Sequence, residues 1–293
     1  MILGQKREQV IRNIRRAAES GSFYSKVEVD DPVLSEVQRK AILENYFLKR
    51  TTLCWKANNR IARLIANTAS KKINEATVMN GLEYLSGVTG GAIVTSNHFN
   101  PIDNTLLRTL TLKAGKKKLC IASEETNLVM SGWIGYLMNY ADTVPVSSNP
   151  NYMGDRFEPM LAGLLRQEDW ILIYPEQEMW FNYRKPRPLK RGAYYYAAKY
   201  RVPIISCFVE IQDLEQLDTP EFHKVRYILH VLPTIFPDPA KGIRENSITM
   251  CQQDYRQKTA AYEAAYGKSL NYQFESNDIA GWIPQSITEA ELV

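Results

Sequence analysis

Residues 90–103 read GGAIVTSNHFNPID, and at this stretch the chain changes from helical patterns to alternating strand and helix patterns. The run AIVTS is short, apolar and rich in β-branched residues, which predicts a buried strand. Asn100-Pro101 is typical of an N-cap followed by the first residue of a helix. We therefore expect His98 in a strand-to-helix turn and Asp103 in the first turn of that helix.

Apolar runs of the same kind recur along the rest of the chain and alternate with helical patterns. These runs are KLCIAS, TVPVS, WILIYP, PIISCFVEI and VRYILHVLPTIF. Such alternation predicts an α/β fold with a mostly parallel sheet and flanking helices. The last long helical pattern runs from Ile243 to Tyr266.

The N-terminal region lacks this alternation. Its first 75 residues have helical patterns, with Asp31-Pro32 predicted to open one helix and Gly21 to end the helix before it. No strand pattern occurs before residue 92. We therefore divide the chain into a basic helical N-terminal segment, residues 1–85, and an α/β domain, residues 86–293.

The composition limits the class of protein. The 293 residues are 45% hydrophobic with a net charge of +4, which is ordinary for a globular protein. The sequence has no signal peptide and no run of about 18 apolar residues, so we expect a cytoplasmic protein without a membrane span. Its four cysteines form no CxxC pair, which argues against a zinc site. We expect no metal and no nucleic-acid partner.

The strongest charge asymmetry lies in residues 46–74, which carry seven basic residues and no acidic one. On a helical projection, an apolar stripe runs beside an edge of basic side chains, an arrangement that suits an anionic membrane surface. The alternative is that the stripe packs on the core and the basic residues form its solvated rim. The stripe is Leu53, Ala57, Ile61, Leu64 and Ile65, and the basic edge is Lys49, Lys56, Arg60 and Arg63.

A second segment, residues 127–141, is apolar nearly all round when drawn as a helix. It includes Trp133, Tyr136 and Tyr140. A helix of this kind is either buried or in contact with lipid, and we expect burial.

The spacing of His98 and Asp103 can bring a carboxylate to an imidazole. A histidine whose Nδ1–H is held by a carboxylate has a fixed tautomer and leaves Nε2 free to accept a proton. The chain has no GxSxG nucleophile motif, so the proton would come from a substrate hydroxyl. The alternative is a purely structural His–Asp hydrogen bond at the start of a helix.

Three sequence blocks follow one another in order. They are Asn97-His98 with Asp103, then Tyr174-Pro175-Glu176-Gln177, then Lys190-Arg191-Gly192-Ala193 with the Val-Pro-Ile-Ile of residues 202–205. As an ordered set they resemble the HxxxxD, Phe-Pro-Glu-Gly and closing blocks of the glycerolipid acyltransferase superfamily. The resemblance covers about residues 90–210.

The resemblance implies an O-acyltransferase that moves a fatty acyl group from acyl-CoA or acyl-ACP to a hydroxyl of a membrane lipid. It implies His98 as general base, Asp103 as its orienting partner and Glu176 as a residue that shapes the acceptor site. No bound cofactor is implied, and the enzyme would lie peripherally on an anionic membrane surface, at the inner face. The further substrate-binding candidates are Asn97, Asn100, Tyr174, Pro175, Lys190, Arg191 and Gly192.

The chain departs from the resemblance where arginines are expected. The family pattern Pro-Glu-Gly-Thr-Arg-Ser is replaced by residues 175–180, PEQEMW, and residues 143–148 end in Ser147-Ser148 without an arginine. An arginine is the natural partner of a phosphate monoester, so we expect an acceptor with a neutral or sugar-bearing head group. Lysophosphatidic acid is the alternative acceptor, and a catalytically inactive membrane-surface protein is the alternative of another class. Basic residues that could replace the missing arginines are Arg156, Arg184, Lys185, Arg187, Lys190 and Arg191.

Overall fold

The computed structural model describes residues 6–29 and 32–284 and has the predicted α/β architecture. Its helices are α1 Arg7–Glu19, α2 Glu36–Arg50, α3 Leu53–Ile73, α4 Asn104–Lys113, α5 Gly132–Tyr140, α6 Pro150–Tyr152, α7 Glu158–Arg166, α8 Gly192–Tyr200 and α9 Ile243–Tyr266. Its strands are β1 Val78–Asn80, β2 Ala92–Thr95, β3 Leu119–Glu124, β4 Thr143–Val146, β5 Trp170–Leu172, β6 Ile204–Thr219 and β7 Phe222–Val231. The bounds of α9 are those predicted from the sequence.

Within the described residues, seven strands form one sheet in the order β1-β7-β6-β2-β5-β3-β4. Neighbouring strands are parallel except β6 and β7, which form a long antiparallel hairpin. Strand β2 lies between β5 and β6, with Val94 opposite Leu172 on one side and Ile205 on the other. Because β2 and β5 are parallel neighbours, the loops that follow them leave the sheet at the same edge. Ligands commonly bind at this edge in α/β proteins.

Alternate residues of β2 face opposite sides of the sheet, as the period of two in a strand requires. Ala92 and Val94 pack with Leu107 of α4 on one side, and Ile93 packs with Tyr194 and the α7 and α9 residues on the other. Helix α3 packs in turn on α4 and α5 as an outer layer. The sheet is therefore covered on both faces, as the apolar runs predicted.

Two expectations for the N-terminal region are wrong. Strand β1 pairs in parallel with β7, Val78 opposite Ile228, although we expected no strand before residue 92. A three-residue strand is too short to show a period, and its pairing is provided by β7. Helix α2 begins at Glu36 rather than at Pro32, because Ser35 forms a capping box with Gln38. Asp31 lies outside the described residues, and Gly21 follows the end of α1 with a left-handed φ of 68°.

The apolar stripe of α3 faces solvent. Leu53 is 82% exposed and Leu64 is 67% exposed, and Lys56 and Arg60 are exposed beside them. The opposite face of α3, which includes Trp55, packs inward. The alternative in which the stripe packs on the core is therefore wrong.

Helix α5, which packs beside α3, is half-buried over most of its length. Gly135 is its buried residue and Trp133 is 71% exposed, so the expectation that this helix is buried is also wrong. Arg63, in contrast, does not belong to the exposed basic edge, because its Nε and Nη2 donate to Asp142 at 2.7 and 2.6 Å. Among the described helices, none combines the length and the apolar character needed to cross a membrane.

Candidate active site

The loop after β2 is hydrogen-bonded to the neighbouring strand β6 at Asn97, the residue before His98. The Asn97 side chain donates to the Val209 carbonyl at 3.0 Å and accepts from the Val209 N–H at 2.8 Å, so it ties the loop to β6. Asn97 is buried, and through these two contacts its side chain supports the loop. The next residue, His98, is the first of the loop with a partly exposed side chain, at 21%.

His98 and Asp103 form a direct pair. The His98 Nδ1 lies 2.8 Å from the Asp103 Oδ2. The predicted helix start is wrong by three residues, since α4 begins at Asn104 and residues 101–103 form a turn. In this turn the Asp103 N–H donates to the Asn100 carbonyl at 3.0 Å, and the Asn100 Oδ1 accepts from the Ile102 N–H at 3.2 Å. Asn100 thus shapes the turn that aims Asp103 back at the imidazole.

Four donors converge on the Asp103 carboxylate, which is buried. Besides His98, the N–H groups of Phe99 and Asn100 donate to Oδ2 at 3.0 and 3.2 Å. The Tyr174 hydroxyl donates to Oδ1 at 2.5 Å. An ionised carboxylate only accepts hydrogen bonds, and here both its oxygens are used.

Tyr174, at the end of the β5 region, lies on the imidazole. The His98 and Tyr174 rings are stacked, with centroids 3.9 Å apart and planes 11° apart. Burial, followed by the charge of Asp103, raises the pKa of the Tyr174 hydroxyl well above its ordinary value. The hydroxyl is therefore a donor at any physiological pH. The sequence predicted Tyr174 as a substrate-binding residue and did not indicate its contact with Asp103, because that contact spans 71 residues.

Glu176 is buried and joined to Arg187. Its Oε2 accepts from the Arg187 Nη2 at 2.9 Å and from the His98 N–H at 3.2 Å, and its Oε1 accepts from the Arg187 N–H at 2.9 Å. Desolvation lowers the pKa of the Arg187 guanidinium, and the charge of Glu176 opposes this shift. Glu176 therefore fixes the backbone at His98, and the guanidinium of Arg187 balances the negative charge of Glu176.

The segment that departs from the family pattern has a structural role. Gln177 adopts a left-handed φ of 67°, a conformation that glycine takes without cost. The Trp180 N–H donates to the His98 carbonyl at 3.1 Å, and the Asn182 N–H donates to the Phe99 carbonyl at 2.8 Å. Residues 177–182, which follow β5, therefore hold the loop that carries His98 through backbone hydrogen bonds. No sequence motif indicated these contacts.

The third sequence block, which begins at Lys190, lies beside the turn that follows Tyr174. The Lys190 N–H donates to the Pro175 carbonyl at 2.8 Å, and Lys190 Nζ lies 3.8 Å from the centre of the Tyr24 ring. Arg191 and Gly192 are exposed at the N-terminus of α8, and a side chain at Gly192 would meet open space. Lys190 and Arg191 thus stand close to the turn that carries Tyr174.

Three of the six basic residues that could replace the missing arginines already form ion pairs with carboxylates of the protein. Arg184 pairs with Asp213 at 2.5 Å, Lys185 pairs with Asp278 at 2.7 Å, and Arg187 pairs with Glu176. Across residues 6–29 and 32–284, no cluster of three or more His, Cys, Asp or Glu side chains is placed to hold a metal ion.

Part of the chain matches a known protein family. Residues 72–210 match the family model described as Acyltransferase. No curated protein sequence matches the chain significantly. Among solved structures, the chain is similar to the crystal structure of the 1-acyl-sn-glycerophosphate (LPA) acyltransferase PlsC from Thermotoga maritima. That similarity has 16% sequence identity and a TM-score of 0.49, and covers 90% of this chain and 100% of that one.

Proposed function

We propose that the protein is a peripheral-membrane lipid O-acyltransferase of the glycerolipid acyltransferase type, on the premise that residues 72–210 match the family model described as Acyltransferase. It moves a fatty acyl group from a CoA or acyl-carrier-protein thioester to a lipid hydroxyl. The observation that carries the proposal is the His98 Nδ1 to Asp103 Oδ2 contact of 2.8 Å, at the carboxyl edge of the sheet. The contact occupies Nδ1 and leaves Nε2 as the proton acceptor.

The reaction follows from this geometry. The Nε2 atom of His98 takes the proton of the acceptor hydroxyl, and the oxygen attacks the thioester carbonyl carbon. The tetrahedral intermediate then expels the thiolate, which receives the proton from His98, so that an ester and a free thiol are formed. The N–H groups of His98, Phe99 and Asn100 already donate to Glu176 or Asp103, so donors for the oxyanion must come from other groups.

A panel of donors and acceptors tests the proposal. Purified protein is incubated with acyl-CoA or acyl-ACP and with lysophosphatidic acid, neutral lysolipids or glycolipids, and release of the free thiol is followed. Release that depends on one of the acceptors supports acyl transfer. If no pair of donor and acceptor gives release above the protein-free rate, the inactive membrane-surface protein is favoured instead.

For the acceptor, the first candidate is lysophosphatidic acid. Lys190 and Arg191 are exposed at the N-terminus of α8, next to the Pro175 carbonyl. Two cations and a helix N-terminus together favour a phosphate group. A neutral or sugar-bearing lipid is the second candidate, because Met179 stands where the family pattern has an arginine.

The ratio of specificity constants for lysophosphatidic acid and a neutral lysolipid distinguishes these candidates. Lys190→Ala with Arg191→Ala is expected to lower this ratio about tenfold, since hydrogen bonds to charged groups are the stronger ones. Gln177→Gly with Met179→Arg is expected to raise it, and the glycine fits the left-handed φ at residue 177. Competition assays measure both ratios.

Arg244→Ala with Arg256→Ala is the matched control, because it removes two exposed cations from α9, outside the loops that carry His98 and Tyr174. It should leave the ratio unchanged. If Lys190→Ala with Arg191→Ala also leaves it unchanged while the wild type prefers the neutral lipid, the second candidate is favoured.

We further propose that α3 and α5 dock on an anionic membrane. The support is the exposed stripe of Leu53, Ile61 and Leu64, the exposed cations Lys56 and Arg60 along it, and Trp133 of α5. Apolar side chains can enter the acyl boundary while basic side chains contact anionic head groups. This placement brings a lipid acceptor to the protein without a membrane span.

Removing charge from this surface is expected to weaken vesicle binding. Lys56→Ala with Arg60→Ala should cost roughly 1 kcal/mol of binding free energy per charge on anionic vesicles, and salt should weaken the wild type. Sedimentation with vesicles of anionic and of neutral lipid measures both effects. The control Arg244→Ala with Arg256→Ala carries the same charge change and should bind like wild type. Equal binding of the wild type to anionic and neutral vesicles would rule out an electrostatic contribution to membrane docking.

A further inference from the structure

Tyr174 touches both members of the His98–Asp103 pair at once. Its hydroxyl donates to the Asp103 Oδ1 at 2.5 Å, and its ring stacks on the His98 ring at 3.9 Å. We infer that Tyr174 is a positioning residue for catalysis, which fixes the carboxylate through its hydroxyl and the imidazole plane through its ring. The inference rests on the proposed function, since it concerns the same pair.

The hydroxyl acts on the carboxylate. Three donors, from His98, Phe99 and Asn100, reach the Oδ2 atom of Asp103. Of the donors in the described part of the chain, the Tyr174 hydroxyl is the one that reaches Oδ1. A carboxylate held at one oxygen can still rotate about its Cβ–Cγ bond, whereas contacts at both oxygens fix its plane. A buried oxygen that loses its donor is also costly, which drives local rearrangement.

The ring acts on the imidazole. With the two planes only 11° apart, Tyr174 covers one face of His98 and resists rotation of the imidazole about its Cβ–Cγ bond. Nδ1 then stays on Asp103 and Nε2 keeps its direction toward the acceptor. Glu176 and Arg187 lie behind the His98 peptide, and the Tyr227 ring centre lies 5.2 Å from that of Phe99. In the described structure, Tyr174 is the ring stacked on the imidazole.

Two substitutions separate the hydroxyl from the ring. Tyr174→Phe keeps the ring, and we expect kcat to fall about tenfold, as for a lost hydrogen bond to a charged group. Tyr174→Leu removes both contacts, and we expect kcat to fall about 10²-fold, as for a misplaced catalytic group. The KM values for donor and acceptor should stay within about twofold, because Tyr174 orients the base rather than binding substrate.

Tyr152→Phe is the matched control. The Tyr152 hydroxyl also donates to a buried acceptor, the Pro145 carbonyl, at 2.8 Å, and its position near β4 is outside the site. This variant should keep kcat at the wild-type value, and thermal unfolding of all variants shows which ones fold. If Tyr174→Leu does not fold, Tyr174→Phe alone decides the hydroxyl's role.

A second readout does not depend on turnover. The ¹⁵N chemical shifts of the imidazole report the tautomer of His98, with His223 and His230 as internal references. We expect the Nδ1–H tautomer to predominate in the wild type and a mixture of tautomers in Tyr174→Leu. An unchanged tautomer in Tyr174→Leu, or kcat within twofold of wild type in both variants, would overturn the inference about Tyr174. A variant His98→Ala that still transfers acyl groups would instead overturn the proposed function itself.

Discussion

His98→Ala is expected to abolish measurable acyl transfer while the protein stays folded. General-base catalysis of this kind contributes about 10² to 10⁴-fold to the rate, and alanine supplies no proton acceptor in its place. The His98 side chain is partly exposed and belongs to none of the three hydrophobic core clusters, so its removal should leave the core packing intact. The specificity constant for the preferred acceptor is the quantity to measure, together with circular dichroism and thermal unfolding.

His230→Ala is a matched control for this variant. His230 Nε2 lies 2.8 Å from the Glu210 Oε2 and its side chain is 25% exposed, so burial and carboxylate pairing resemble those of His98. It should leave transfer unchanged. Asp103→Asn should lose less activity than His98→Ala, because the imidazole remains but its orientation is no longer fixed. Transfer by His98→Ala within a few-fold of wild type would contradict the general-base role.

Arg187→Met is expected to lower the free energy of unfolding by about 3 to 5 kcal/mol, because it leaves the buried carboxylate of Glu176 without its partner. Both side chains are buried, and Nη2 of Arg187 also donates to the Glu178 carbonyl while Nη1 donates to the Phe23 carbonyl at 2.9 Å. Urea denaturation of the variant and the wild type measures the difference.

The exposed pair of Arg12 and Glu8 provides the control, with 3.9 Å between its charged atoms. Arg12→Met should change the free energy of unfolding by less than about 1 kcal/mol, as is usual for surface ion pairs. The double variant Glu176→Gln with Arg187→Met should be less destabilised than Arg187→Met, since the unpaired charge is gone. A loss below about 1 kcal/mol in Arg187→Met would show that water or another cation compensates Glu176.

The sequence was informative where local patterns decide the structure. The apolar run of β2, the five-residue spacing of His98 and Asp103, and the bounds of α9 depend on patterns within one element or loop. Gly267 follows α9 with a left-handed φ of 65°, so the end of that helix is also a local property.

Contacts between distant segments could not be predicted in this way. Tyr174 reaches Asp103 across 71 residues, and Arg187, which reads as one of several loop cations, is paired with Glu176 instead. The amphipathic pattern of α3 identified its apolar stripe correctly but could not show which face the rest of the fold covers. The same limit applies to His230, which lies in the apolar run YILHVL typical of a core position, whereas its imidazole is half-buried and bonded to Glu210.

The central claim is that an acyl group passes from a thioester to a lipid hydroxyl at the His98–Asp103 pair. The most direct measurement is the amount of acylated lipid, by mass spectrometry, and of free thiol formed from the same reaction with acyl-CoA and an acceptor in anionic vesicles. The wild type should form one ester for each thiol released, and His98→Ala should form neither product above background. Thiol released together with free fatty acid and without ester would show a hydrolase, and ester formed at an undiminished rate by His98→Ala would place the chemistry elsewhere.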